Sequence, residues 1–333
     1  MRGDRVVPTL GGVDVRLRGL TRADVAAWNR LLADIERADH TGEHYNEADL
    51  LEEMANPDIE PGKDMVGAFD GEELIGFFTV YPRASAEETH KIHLEGAVHP
   101  RRRGEGVGTL LAEAMIARAE QAHAEQCPGV PPLYVLGGLP DDPAQDDLLD
   151  RIGLRPEQWS FTMRAQLGDC PEPGPLPDGL RIRRYDEEVA ALLRDTHNTV
   201  FMDHPNFTPW TEVMWRQWVT ESRSFRPRLS FVVLDVDVPG QLAAYVQTSE
   251  YDAYFQATGR REAYVGKVGT RREYRGRGVA TVLLQHCLRA YQEAGYDEAS
   301  LDVDSENPTG ALGVYQRAGF MVERKRTEYF RRR

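Results

Sequence analysis

Cysteine is scarce: three in 333 residues. Cys127, Cys170 and Cys287 form no C-x-x-C pair and no Cys/His set at zinc spacing, so neither a disulfide framework nor a structural metal is expected. A basic excess is missing too. The formal net charge is −14, whereas a nucleic-acid binder draws most of its affinity from cationic side chains on phosphate, so no nucleic-acid partner is expected. No run approaches the roughly 18 apolar residues of a membrane helix. The opening Met1-Arg2-Gly3-Asp4-Arg5 is not followed by the apolar core of a leader. These absences predict a cytoplasmic protein without a membrane partner. No G-K-S or G-K-T follows any glycine loop, which excludes a Walker loop, and no Cys–His or Ser–His constellation points to a covalent intermediate.

The chain itself is long enough for two domains at about 150 residues each. Proline and glycine concentrate at residues 168–179, GDCPEPGPLPDG. Prolines cannot donate ladder hydrogen bonds and favour an extended spacer, so the expected division is a domain at 1–167, a linker at 168–179 and a domain at 180–333. The two halves repeat each other. Each opens on a short alternating strand, at 15–18 and 180–183, followed by a helical region. Each then has paired strands, 65–69 with 74–81 and 230–236 with 242–248, turning at Asp70-Gly71 and Pro239-Gly240. Strands linked mostly by hairpins and mixed with helices predict an α+β fold, each domain a mixed, mostly antiparallel sheet with flanking helices.

A strand, a glycine loop and a helix recur in both halves. The second half reads Arg275-Gly276-Arg277-Gly278-Val279-Ala280 and the first Arg103-Gly104-Glu105-Gly106-Val107-Gly108, offset by 172 residues. A helix N-terminus offers unpartnered N–H groups and the positive end of its dipole, and glycines let backbone approach a phosphate. Val279, Leu283, Leu284, Cys287, Leu288 and Tyr291 form an apolar stripe that would hold this terminus rigid. Val107, Leu111 and Met115 do the same in the first half, with Arg118 expected to break the stripe. Cys287 is expected to be a buried small hydrophobe.

The second half closes on Leu301 to Pro308 and then Thr309-Gly310-Ala311-Leu312-Gly313-Val314-Tyr315-Gln316-Arg317-Ala318-Gly319-Phe320. RGRGVA followed by ENPTGALGVYQRAGF resembles the GNAT superfamily of N-acetyltransferases. The resemblance spans each half and is specific in the second. It implies two tandem GNAT-like domains with acetyl-CoA as co-substrate between two splayed strands. Val268 and Thr270 would offer backbone to the pantetheine arm, Arg275 through Ala280 would hold the pyrophosphate, and Asn307 would meet the pantetheine amides. Tyr315 would protonate the departing thiolate, a role suited to a phenol with an ordinary pKa of about 10. Val98, Arg103, Gly104, Gly106 and Gly108 are the corresponding first-half positions.

The first half departs from this pattern. Aligning Gly153 with Gly319 puts Leu149 where Tyr315 stands, so this half is expected to lack a general acid and to serve as a CoA-binding or scaffolding domain. The strand position that often carries a glutamate base in the superfamily is Tyr264. Glu262, two residues earlier on the same face, is the candidate base, acting through a water or not at all. On the acceptor side, Asp203, His204, Trp210 and Tyr264 are candidates to meet a small-molecule primary amine, whereas Trp215 and Trp218 are expected in the core. His204-Pro205 and Trp210-Thr211 are similar to the acceptor-side segment of mycothiol synthases, tandem members that acetylate a cysteinyl amino-sugar conjugate. The competing reading is a non-catalytic CoA sensor or scaffold.

Overall fold

The structure, a computed structural model, describes residues 5–6, 14–83, 86, 88–203, 207–305 and 310–332. Two compact units emerge: Met1–Gln158 with Arg326–Arg333, and Trp159–Lys325.

Unit 1 runs β1 (Arg5–Val6), β2 (Val15–Gly19), α1 (Val25–Asp39), α2 (Glu47–Met54), α3 (Pro61–Asp64), β3 (Met65–Asp70), β4 (Glu73–Tyr81), β5 (His90–Val98), α4 (Val107–Gln126), β6 (Pro132–Gly138) and α5 (Pro143–Arg151). Neighbouring strands from β1 to β5 pair antiparallel, and β5 and β6 run parallel. One sheet face packs on α4 through Phe78, Val80, Ile92, Leu94, Leu111 and Met115. The other packs on α1 and α2 through Trp28, Leu31, Leu50 and Phe77. The start of α2 is set by a capping box: Asn46 accepts from Ala48 and Asp49, and Asp49 accepts from the Asn46 N–H.

The next strand, β7 (Arg155–Gln166), starts in unit 1 and continues into unit 2. Unit 2 follows with β8 (Leu180–Arg184), α6 (Glu187–Phe201), α7 (Glu212–Trp215), β9 (Phe231–Asp235), β10 (Leu242–Ser249), α8 (Asp252–Thr258), β11 (Glu262–Thr270), α9 (Val279–Glu293), β12 (Glu298–Asp304), α10 (Ala311–Ala318) and β13 (Met321–Arg332). Its sheet order is β7-β12-β11-β10-β9-β8, antiparallel except for β11 beside β12. The α9 stripe forms as expected: Val279, Leu283, Leu284, Cys287, Leu288 and Tyr291 are all buried. Trp215 and Val219 are buried in the core under α6.

The units do not divide where the composition breaks. Ser160 through Gln166 pair with Asp304 through Glu298 of β12, so the residues before the Pro-rich segment belong to unit 2. Thr327 through Arg332 pair with β6, so the final strand ends in unit 1. A proline-rich stretch marks where regular structure stops, and a strand that pairs elsewhere leaves no mark in composition. Arg118 is a second correction. It stays on the buried face of α4 rather than ending the stripe, because Nε reaches buried Asp64 at 2.7 Å.

Candidate active site

The parallel strands of unit 2 separate. Only Glu262↔Glu298, Ala263↔Ala299 and Tyr264↔Ser300 pair. Beyond Tyr264, β11 continues on β10 and β12 continues on β7. Residues 265–270 therefore have an edge that no described strand covers. The fork has a local cause. The β10–β11 register jumps from Gln247↔Lys267 to Thr248↔Val265, making Gly266 the extra residue of a bulge, which bends a strand. A Cβ on Gly266 would lie 2.6 Å from Gln247 Oε1. In unit 1, pairing of β5 with β6 likewise stops at Leu94↔Leu136.

Each fork leads into its glycine loop. Gly276 and Gly278 have φ of 72° and 80°, and Gly104 and Gly106 have 80° and 87°. Nothing lies within 4 Å of a Cβ built on Gly276 or Gly278, so conformation rather than crowding requires glycine there. Gly278 is the N-cap of α9 and supplies no side-chain acceptor. The first turn of α9 thus has no side-chain cap, as a pyrophosphate site demands. The cradle from Arg275 to Ala280 and the uncovered β11 edge carrying Val268 fit a nucleotide-linked pantetheine.

The loop arginines are tied down. Arg275 Nε donates to the Thr270 carbonyl at 2.9 Å, and its Nη1 meets Asp203 at 2.6 Å. Arg103 repeats this, with Nε on the Val98 carbonyl at 3.2 Å and Nη1 on Asp39 at 2.7 Å. Arg272 also pairs with Asp203. Asp203, expected at the acceptor, is thereby a brace of the glycine loop, and Arg275 and Arg272 hold its carboxyl below the usual range. Arg277 stands over the Tyr274 ring at 5.8 Å.

Tyr315 lies on α10, 7% exposed, with its ring against Phe320. Burial pushes its phenol above the ordinary value, so the hydroxyl remains protonated. Leu149, its first-half counterpart, is buried on α5. Asn307 and His204 lie outside the described residues. Tyr264 sits where the fork opens and donates to Asp302 at 3.0 Å. Trp210 is clamped by Asn198, which accepts from its N–H at 2.8 Å and donates to its carbonyl at 3.0 Å. Its ring packs on His197 and Trp218, and Lys267 Nζ lies 4.7 Å from it.

Glu262 is not an isolated base. Arg164 meets it at 2.6 Å and also reaches Glu298 at 2.9 Å. Tyr254 donates to Glu298 at 2.5 Å. Burial raises the Glu262 carboxyl in spite of Arg164. Sequence reasoning missed Arg164 and Glu298. Arg164 precedes the composition break, and Glu298 reads as an ordinary charge at a strand start until the register sets it beside Glu262.

Residues 27–128 and 187–320 match the model of the acetyltransferase (GNAT) family. The chain belongs to the GNAT family. It is 30% identical over 275 residues to a mycothiol acetyltransferase of Mycolicibacterium paratuberculosis (strain ATCC BAA-968 / K-10), covering 79% of each chain. It is 30% identical over 267 residues to that of Nocardia farcinica (strain IFM 10152), covering 78% of this chain and 80% of the relative. Among solved structures, a GCN5-related N-acetyltransferase from Sphaerobacter thermophilus superposes with a TM-score of 0.77 at 24% identity, covering 96% of this chain and 95% of the other. A tandem GNAT protein from the clavulanic acid biosynthesis pathway gives 0.66 at 16%, covering 96% and 98%. These two show that the tandem GNAT fold extends over the chain.

This GNAT protein is therefore an acyl-CoA-dependent N-acetyltransferase with two GNAT regions. No described helix is long and apolar enough to cross a membrane. The loop geometry gives a direct test. Gly278→Val puts a β-branched residue at φ 80°, which costs about 1–2 kcal/mol or shifts the loop. Calorimetry should show CoA binding weakened by about tenfold; unchanged affinity would mean that this loop does not hold the pyrophosphate.

Proposed function

We propose that unit 2 transfers acetyl from acetyl-CoA to the primary amine of a small molecule, with Tyr315 as general acid. The observation that supports this most is the buried side chain of Tyr315 on α10, in the unit whose strands fork ahead of an uncapped α9 N-terminus. The loop from Arg275 to Ala280 orients the thioester along the β11 edge, and Asn307 would meet its pantetheine amides. The amine nitrogen attacks the thioester carbonyl. As the C–N bond forms and the C–S bond breaks, Tyr315 gives its proton to the sulfur and regains one from solvent. The amine sheds its proton to water. Val98, Arg103, Gly104, Gly106 and Gly108 form a second CoA cradle in unit 1, which lacks a phenol at Leu149.

Trp210 and Tyr264, with His204, are the acceptor-side residues we propose. The mycothiol acetyltransferase relatives support a cysteinyl amino sugar as the acceptor. Acetyl-CoA turnover against cysteinyl sugars, aminoglycosides, polyamines and lysine peptides tests the reading. Thiol release with a small amine supports it, and tight CoA binding without turnover on any amine replaces it with the sensor reading.

Glu262 gives a separate prediction. Because its carboxylate is engaged by Arg164, Glu262→Gln should leave the pH profile of kcat unchanged while lowering the melting temperature. A loss of the acidic limb of that profile in the variant would instead make Glu262 the base.

A further inference from the structure

Unit 1 contains a cluster of titratable groups that the transfer at Tyr315 does not use. Tyr81 on β4 sets its hydroxyl against Glu53 on α2 and Glu95 on β5, the latter at 2.9 Å, with one proton to donate between them. Glu95 is the first β5 residue past the last pairing with β6, Leu94↔Leu136, so it stands at the mouth of the unit 1 fork. Directly across from it on β4 is Thr79. Opposed residues of an antiparallel pair share a face, and the Tyr81 bond shows which face that is. Thr79 is fully buried, and its Oγ1 has no hydrogen-bond partner among the described residues. A buried hydroxyl left unpaired beside two carboxylates is a group awaiting a donor.

One phenolic proton cannot satisfy two carboxylates. The cation that acts on Glu95 is shared with another carboxylate. Arg326 of β13 pairs with Glu43. His93, two residues earlier on β5, is held neutral by burial, down to about 3. Tyr45, ahead of α2, is kept protonated by burial. Burial, with Glu53 and Glu43 nearby, pushes the Glu95 carboxyl up to about 8 against the pull of Tyr81 and Arg326. A primary ammonium has three donors and one positive charge. It matches Glu53, Glu95 and Thr79 in number and sign.

We infer that unit 1 carries a second ligand site, separate from Tyr315, that takes the primary ammonium group of a small molecule between Glu53, Glu95 and Thr79. The site does not copy unit 2. Glu95 lies eight residues before Arg103, and Lys267 lies eight before Arg275, so the same strand position carries opposite charge in the two units. Whatever approaches unit 2 at that position meets an ammonium, and whatever approaches unit 1 meets carboxylates. The inference rests on unit 1 geometry and stands apart from turnover by unit 2.

The test uses the full chain and butylammonium, titrated calorimetrically at pH 7 in two buffers of unlike ionisation heat. A carboxyl protonated before binding must ionise beside the ammonium, so binding should release a proton. Glu95→Gln should abolish that release and weaken binding at least about tenfold. Thr79→Val, an apolar replacement of like shape in a buried position, should fold normally by circular dichroism and weaken binding several-fold. Tyr315→Phe should change neither, and N-butylacetamide, which lacks the charge, should not bind. Absence of butylammonium binding, or binding with no proton release and no response to Thr79→Val or Glu95→Gln, overturns the site. Loss of acetyl turnover with butylammonium binding intact would count against the unit 2 reading alone.

Discussion

Tyr315→Phe is expected to lower kcat for thiol release by about 10²- to 10⁴-fold, the range a positioned general acid contributes, with calorimetric CoA affinity retained. The two measurements separate chemistry from binding. Phe keeps the ring contact with Phe320, so the melting temperature should hold. Burial raises the phenol above its ordinary value. The wild type should accordingly show no alkaline loss of kcat from this group below pH of about 10. A Phe enzyme with wild-type kcat would remove Tyr315 from the chemistry and leave protonation of the thiolate to solvent.

Asp64→Ala should produce the largest loss of stability in unit 1. Asp64 is 1% exposed, accepts from Arg118 Nε at 2.7 Å and takes the Glu60 N–H at 2.6 Å. Removing it leaves the Arg118 guanidinium on the inner face of α4 with the half-exposed Glu125, at 3.1 Å from Nη1, as its remaining carboxylate. Breaking such a buried pair from one side costs about 3–5 kcal/mol. For a unit of this size that lowers the melting temperature by roughly 6–20 °C. Arg118→Met added to Asp64→Leu should restore most of the loss, because a buried pair replaced by packed apolar groups is often neutral. Thermal melts of the two proteins decide it. A single variant that melts with the wild type would mean that Glu125 and water satisfy the guanidinium without Asp64.

Much of this molecule can be read before it is folded. Hairpins at Asp70-Gly71 and Pro239-Gly240, the α9 stripe and the two glycine loops follow from periodicity and turn chemistry, which are local. What escaped is non-local. Asp203 sits far from Arg275 in sequence and braces it only because α6 ends beside the loop. Arg118 breaks an apolar stripe until Asp64 is found buried against it. The Arg164, Glu262 and Glu298 network depends on strand register, which a single sequence does not disclose. Glu95 and Thr79 are unremarkable letters in two strands until they are paired.

The crossing of β13 has a consequence in time. Translation delivers β6 long before Thr327 through Arg332, the segment that pairs with it. At ~5–20 residues per second, that interval is on the order of ten seconds or more. Throughout it, β6 presents an open edge, a template for strands of other nascent chains. Completion of the first-made half is thus deferred until residues 327–332 have been made. A fragment released at the Pro-rich segment would keep that edge exposed indefinitely, and aggregation rather than independent folding is its expected fate.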